Sequence, residues 1–131
     1  MNYLVDTHIF LWSLFSPKKL PLGARKILLS PQDVKYVSVV TFWEIALKYQ
    51  LKKITLEGVL PDGLPSLAKN AGFEILDLDS NTTSSFYKLP RFTNKDPFDR
   101  MLAWQAISYD HYLLTKDKEF VGYKQYGLKI T

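Results

Sequence analysis

The sequence predicts an α/β fold, a parallel sheet of about five strands flanked by helices. Two observations carry that reading. Short β-branched or aromatic runs alternate with amphipathic stretches along the chain, which is the pattern of strands joined by crossover helices. Acidic segments then follow these apolar runs four times: Leu4-Val5-Asp6-Thr7-His8, Thr41-Phe42-Trp43-Glu44-Ile45-Ala46, Asp96-Pro97-Phe98-Asp99-Arg100 and Leu114-Thr115-Lys116-Asp117. No repeat, low-complexity segment or linker divides the 131 residues, so residues 1–131 read as a single domain with room for a core.

The elements follow in order. Leu4-Val5 belongs to a short buried strand ending at Asp6, and residues 8–15 read as a helix covering the sheet. Pro17 to Pro21 is a basic turn. Leu22 to Leu29 is a second helix, with Arg25 and Lys26 on its outside. The run Tyr36 to Val40 predicts a strand, with a helix beginning at Thr41 and carrying Phe42, Ile45, Ala46, Tyr49 and Leu51 at mostly helical spacing. A loop from Pro61 to Pro65 leads to a short helix over Ser66 to Asn70 that stops at Gly72. Phe73 to Leu76 is the next strand, Ser80 to Tyr87 a polar, weakly helical stretch, and Leu89 to Lys95 a loop. Asp96-Pro97 opens a strong helix through Phe98, Met101, Leu102, Trp104, Ala106 and Ile107. Tyr112 to Thr115 and Gly127 to Thr131 complete the strands. In such sheets the crevice at the strand carboxyl ends is where ligands bind.

Composition narrows the function classes. With no cysteine there is neither a disulfide framework nor a thiolate metal site. Charge interrupts every long apolar stretch, and the N-terminus lacks the basic region of a signal peptide, so the expected setting is the cytoplasm, with no membrane. The formal charge of +4 favours a polyanionic partner such as nucleic acid, or is a plain solubility surplus. No G-x-x-x-x-G-K-S/T, G-x-G-x-x-G or G-x-S-x-G segment occurs.

Each acid taken alone is explained by helix capping. Asp6 stands where an N-cap would be, Thr41-x-x-Glu44 matches a capping box, Asp96-Pro97 is an N-cap followed by proline, and Asp117 fits a cap of the turn Lys118-Glu119-Phe120. Taken together, four acids at helix starts converge on one end of the sheet. Carboxylates crowded in one cleft repel unless a cation sits among them, and oxygen donors suit Mg²⁺ or Mn²⁺. Asp6, Glu44, Asp99 and Asp117 are therefore the candidate ligands. Asp96 is a weaker one, and Thr115 and Ser38 either bond a carboxylate or merely finish strands. His8 and His111 are too isolated for a zinc pair. Trp12, Trp43 and Trp104 read as core residues rather than stacking platforms.

These four motifs, in this order and spacing, resemble a PIN-domain protein, in particular a VapC-type toxin, over essentially the whole chain. The resemblance is densest from Asp96 to Ala106. It implies a single PIN-like domain with a five-stranded parallel sheet and an acidic pocket for Mg²⁺ or Mn²⁺. It also implies endoribonuclease activity, a small cognate antitoxin and homodimerisation. The family's four acids fall on Asp6, Glu44, Asp99 and Asp117. Asp6 and Asp99 would be the principal ligands, with Glu44 and Asp117 completing the shell directly or through water. Metal-assisted hydrolysis of an RNA phosphodiester is the implied chemistry. Arg100 either touches a phosphate or partners a helix carboxylate. Lys18, Lys19, Lys48, Lys52, Lys53, Arg91, Lys95, Lys116 and Lys118 are candidates for an RNA track. One departure stands out: relatives often carry His where this chain has Asn94.

Two other classes compete. One is a catalytically inactive module of the same fold that binds RNA or protein. The other is a receiver-type phosphoacceptor domain, which calls for an acid pair directly after the first strand, whereas Asp6 is followed by Thr7 and His8.

Overall fold

The computed structural model describes residues 1–91 and 95–131. Asn94 therefore lies outside the described residues. Five strands form one parallel sheet: β1 (Asn2–Val5), β2 (Val34–Ser38), β3 (Glu74–Leu76), β4 (Tyr112–Leu114) and β5 (Lys129–Ile130), in the order β3-β2-β1-β4-β5. Every pairing is parallel, with Leu4 opposite Tyr36 on one side and Leu113 on the other. All strand carboxyl ends consequently share one edge of the sheet.

Successive side chains of a strand point to opposite faces, and the sheet uses this to build two cores. Val5, Val37 and Leu114 pack with Ile9, Phe10, Ala24, Ile45, Leu64, Ala68 and Phe73. These come from helices α1 (Thr7–Phe15), α2 (Leu22–Leu29), α3 (Val39–Gln50) and α4 (Leu64–Asn70) and the approach to β3. Leu4 and Leu113 face the other way, against Leu102, Ala103, Ala106, Phe120 and Tyr123. Those residues lie on helix α6 (Pro97–Tyr109) and a 3-10 stretch, Lys118–Tyr126, with the polar helix α5 (Ser80–Ser85) nearby in the chain. Strands buried on both faces read as continuous apolar runs rather than alternating ones, as Tyr3-Leu4-Val5 and Leu113-Leu114 do.

Three expectations need correction. Helix α3 begins at Val39, not Thr41: Ser38 is its N-cap and accepts from the Val40 amide at 3.0 Å. Thr41 is thus a buried residue of the first turn, and no capping box forms with Glu44. The turn after Asp117 runs on as a 3-10 stretch, Lys118–Tyr126, instead of ending at Phe120; Asp117 caps it as expected, and Gly127 closes it at φ 99°, a conformation glycine adopts without steric cost. Trp43 is not core; it is 64% exposed and meets the Phe98 ring edge-on at 5.1 Å. Among the described residues no helix is long and apolar enough to cross a membrane.

Candidate functional site

Strand order reverses beside β1: the chain proceeds outward through β2 and β3, then returns to β4 and β5 on the opposite side. Such a switch point leaves a crevice between the two central strands. Asp6 follows β1 there. Its carboxylate caps α1 by accepting from the Ile9 amide at 2.8 Å, and the Thr115 hydroxyl, just past β4, donates to its other oxygen. Thr115 in turn accepts from the Asp117 amide at 2.9 Å, and the Asp117 carboxylate accepts from the Glu119 amide at 2.9 Å. Asp6, Thr115 and Asp117 are thereby tied into one hydrogen-bonded path across the crevice.

Burial pushes the Asp6 carboxyl above the usual carboxylate range. The Thr115 and Ile9 hydrogen bonds and the nearby His8 oppose that rise, whereas the charge on Asp117 adds to it. Asp6 and Asp117 line one cavity of about 330 Å³ together with His8, Trp12 and Lys116.

Asp96 caps α6, accepting from the Phe98 amide at 2.8 Å with Pro97 in the first turn. That fixes Asp99 in the first turn, where the helix N-terminus favours negative charge. One carboxylate oxygen each from Asp99, Asp117 and Glu119 lies within 4.8 Å of the others. Around an octahedral ion with bonds of about 2.1 Å, opposite oxygens stand about 4.2 Å apart. The donor set is oxygen only, so it suits a hard divalent cation and not a thiophilic one.

Glu44 is 2% exposed. One of its oxygens accepts from the Thr7 hydroxyl at 2.6 Å, and the other is ion-paired with the Lys48 ammonium one helical turn on. Thr7 Oγ1 also lies 3.1 Å from Thr41 Oγ1. Partial burial lowers the Lys48 pKa, but the Glu44 hydrogen bond and the charges of Glu44, Asp96 and Asp99 outweigh it, leaving the ammonium raised. Lys48 is therefore the counterion of Glu44.

Asp117 thus belongs to two groups, the cavity it lines with Asp6 and the ion-sized set it forms with Asp99 and Glu119; among the described residues that set includes neither Asp6 nor Glu44, whose oxygens are engaged by Thr7 and Lys48. Two of the secondary candidates are engaged in packing. Ser38 donates to Gln105 Oε1 at 2.5 Å. Arg100 donates to the Leu89 carbonyl at 3.2 Å and lies over the Phe86 ring. Glu119 escaped the sequence reading, although Asp117-x-Glu119 placed two acids two residues apart. The sequence offers Lys48 as an RNA-track candidate, yet Glu44-x-x-x-Lys48 is also the helical spacing of an ion pair.

The model of the PIN domain matches residues 3–125. This chain belongs to the PIN-domain family. No curated protein sequence matches it. Solved structures do. VapBC2 from Rickettsia felis, bound to a DNA fragment from its promoter, aligns with a TM-score of 0.69 at 18% identity, covering 100% of this PIN domain and 98% of that chain. VapBC-1 from nontypeable Haemophilus influenzae gives 0.66 at 19% identity, covering 100% and 97%. A toxin-antitoxin complex from Klebsiella pneumoniae gives 0.56 at 20% identity, covering 92% and 91%. At these identities the likeness is one of fold, and the PIN fold spans each neighbour nearly end to end.

Proposed function

We propose that this PIN domain is a metal-dependent endoribonuclease acting in the cytoplasm as the toxin of a toxin–antitoxin pair. The observation that carries the reading is the position of Asp117, which lines a cavity with Asp6 and brings a carboxylate oxygen within 4.8 Å of one each from Asp99 and Glu119, in a chain of this family. Like-charged groups gathered at such spacing favour a cation among them. Asp99, Asp117 and Glu119 would hold Mg²⁺ or Mn²⁺, with Asp6 beside them. Once bound, the cation would acidify a water and neutralise charge developing on the phosphate.

The remaining roles belong to the chain. Thr115 fixes the Asp6 carboxylate, and Asp96 fixes the first turn of α6 that presents Asp99. Glu44 acts as a positioning acid, since Thr7 and Lys48 already engage both of its oxygens. Lys116, at the cavity wall, would meet an RNA phosphate.

The solved neighbours include a toxin-antitoxin complex and a member of the VapBC family of toxin-antitoxin systems, which supports a small cognate antitoxin as partner. A second copy of this chain is the other proposed partner. Exposed Trp43 and Leu60 border an apolar cavity with Phe42, Ala46, Pro61 and Pro65, and patches of this kind mark protein contacts.

The test is cleavage of structured RNA by purified protein with EDTA, Mg²⁺ or Mn²⁺, alongside Asp99→Asn. Cleavage restored by either metal and reduced at least a hundredfold in Asp99→Asn is expected. RNA that is bound but never cut, in any metal, would leave the inactive binding module instead.

A further inference from the structure

The acidic crevice does not end at its carboxylates. Trp12 forms part of its wall, with the His8 ring 5.8 Å away and the Lys116 ammonium 5.8 Å over the indole. Trp12 also lines a second cavity, of about 480 Å³, between α1 and the segment that follows α3. That cavity carries Lys19, Lys52 and Lys53 against a single acid, Glu57. Trp12 thus lines both the lysine-bearing cavity and the one that holds Asp6 and Asp117. It is only partly buried.

We propose that Trp12 is a stacking platform for an unpaired nucleobase flanking the scissile phosphate, with the RNA backbone entering along Lys19, Lys52 and Lys53. The proposal rests on the nuclease reading for the identity of the neighbouring phosphate, but the platform itself is a binding claim. Its chemistry follows from the arrangement. A phosphate backbone is drawn to a run of ammonium groups, and the acids repel it unless a cation is present, so the polyanion is held on the lysine side. A base leaving its stack needs an aromatic face in exchange, and stacking is tolerant of base identity because every base has a π-face. Lys116, already over the indole, has a phosphate to move to when a base takes its place. This revises the reading of Trp12 as a purely core residue: it packs against the apolar cluster and also lines both cavities.

The experiment holds RNA uncleaved by working in the Asp99→Asn protein and measures Kd for two single-stranded RNAs. One carries bases throughout; the other is abasic at successive central positions. Trp12→Leu, which fills the apolar side without a π-face, should weaken binding to the base-bearing RNA by about tenfold and leave abasic binding unchanged. Lys52→Gln/Lys53→Gln should weaken both RNAs by the same factor and lower the salt slope by about 0.7 per lost contact. Equal loss on both RNAs in Trp12→Leu, or no loss, overturns the platform. So does an Asp99→Asn protein that binds no RNA, which would leave the groove to a protein segment. If Trp12→Leu does not fold, ¹⁹F spectra of the 5-fluorotryptophan protein decide the matter: a Trp12 resonance that shifts with base-bearing RNA but not abasic RNA supports it, and an unmoved one rejects it. A wild-type protein with this binding pattern that cuts nothing in Mg²⁺ or Mn²⁺ would sink the nuclease reading and leave the platform standing.

Discussion

Lys48 gives the sharpest test of how the site is held. Its partner Glu44 has a side chain 3% exposed, whereas Lys48 itself is 34% exposed. Removing one member of a fully buried pair costs about 3–5 kcal/mol because the other charge is stranded. Losing a fully exposed pair costs about 0.2–1 kcal/mol. Lys48→Gln lies between these limits. Thr7 still serves one Glu44 oxygen, so a loss of about 2 kcal/mol is expected. For a domain of this size each kcal/mol moves Tm by about 3–4 °C, giving a fall of about 6–8 °C in EDTA. Adding Glu44→Gln removes the stranded charge, so the double variant should regain more than half of that loss. Mn²⁺ should stabilise Lys48→Gln more than wild type, because the cation replaces a missing positive charge. Thermal unfolding followed by circular dichroism, with EDTA and with Mn²⁺, provides all of these values. A single variant within about 0.5 kcal/mol of wild type, or a double variant no better than the single, would refute the claim that Lys48 is the internal counterion of Glu44.

Four further outcomes follow from the same geometry. Asp6 has a raised folded-state pKa, so its carboxyl favours the folded state at pH below its unfolded value of 3.8, and that contribution is lost as pH rises through the folded value. Metal-free Asp6→Asn should therefore match or exceed wild-type stability at pH 7 and gain nothing at pH 3, while its Mn²⁺-induced Tm shift shrinks; a clear loss at pH 7 in EDTA would make the carboxylate chiefly a structural cap. His111 is lowered, first by burial, so the unfolded chain takes up its proton first and stability should drop as pH falls through about 6.5. His111→Phe, keeping the stack on Tyr36, should flatten that drop in urea titrations across pH 5–8. Ser38→Ala strands the buried Gln105 carbonyl oxygen and removes the α3 cap, costing about 2–3 kcal/mol by urea unfolding. Trp43→Ser should shift a dimer towards monomer in sedimentation at micromolar protein with little change in monomer stability, and an unchanged mass would remove Trp43 from the contact.

The local parts of this fold were legible because local chemistry decides them. Asp6 and Asp96-Pro97 start helices by satisfying free amides, so α1 and α6 begin within a residue of where the sequence puts them. The α2 helix lies at the residues its pattern predicts, and the alternation of strands and helices was sufficient for a parallel sheet. The β2–α3 boundary was not legible. Val39 and Val40 are β-branched and continue the strand pattern, but Ser38 caps the Val40 amide and bonds Gln105, sixty-seven residues away, so a tertiary contact helps set the turn. The exposure of Trp43 depended on which face of α3 its neighbours cover, which the helical period alone leaves open.

The candidate site divides in the same way. The residue types and their positions after strands could be read in sequence, since carboxylates at helix starts are a matter of a few adjacent residues. Which acids share an ion-sized space could not. The strand order β3-β2-β1-β4-β5 sets β1 against β4, bringing Asp6 within hydrogen-bond reach of Thr115, one hundred and nine residues on. The 3-10 turn after Asp117 then swings Glu119 to Asp99, while Lys48 draws Glu44 into an ion pair. Sequence determines the local presentation of Asp6, Asp99 and Asp117 through helix and turn capping, whereas Glu44, in the second turn of α3, caps nothing. Only packing of the two cores against the sheet decides their mutual distances, because those distances are sums of contacts spread over the whole chain.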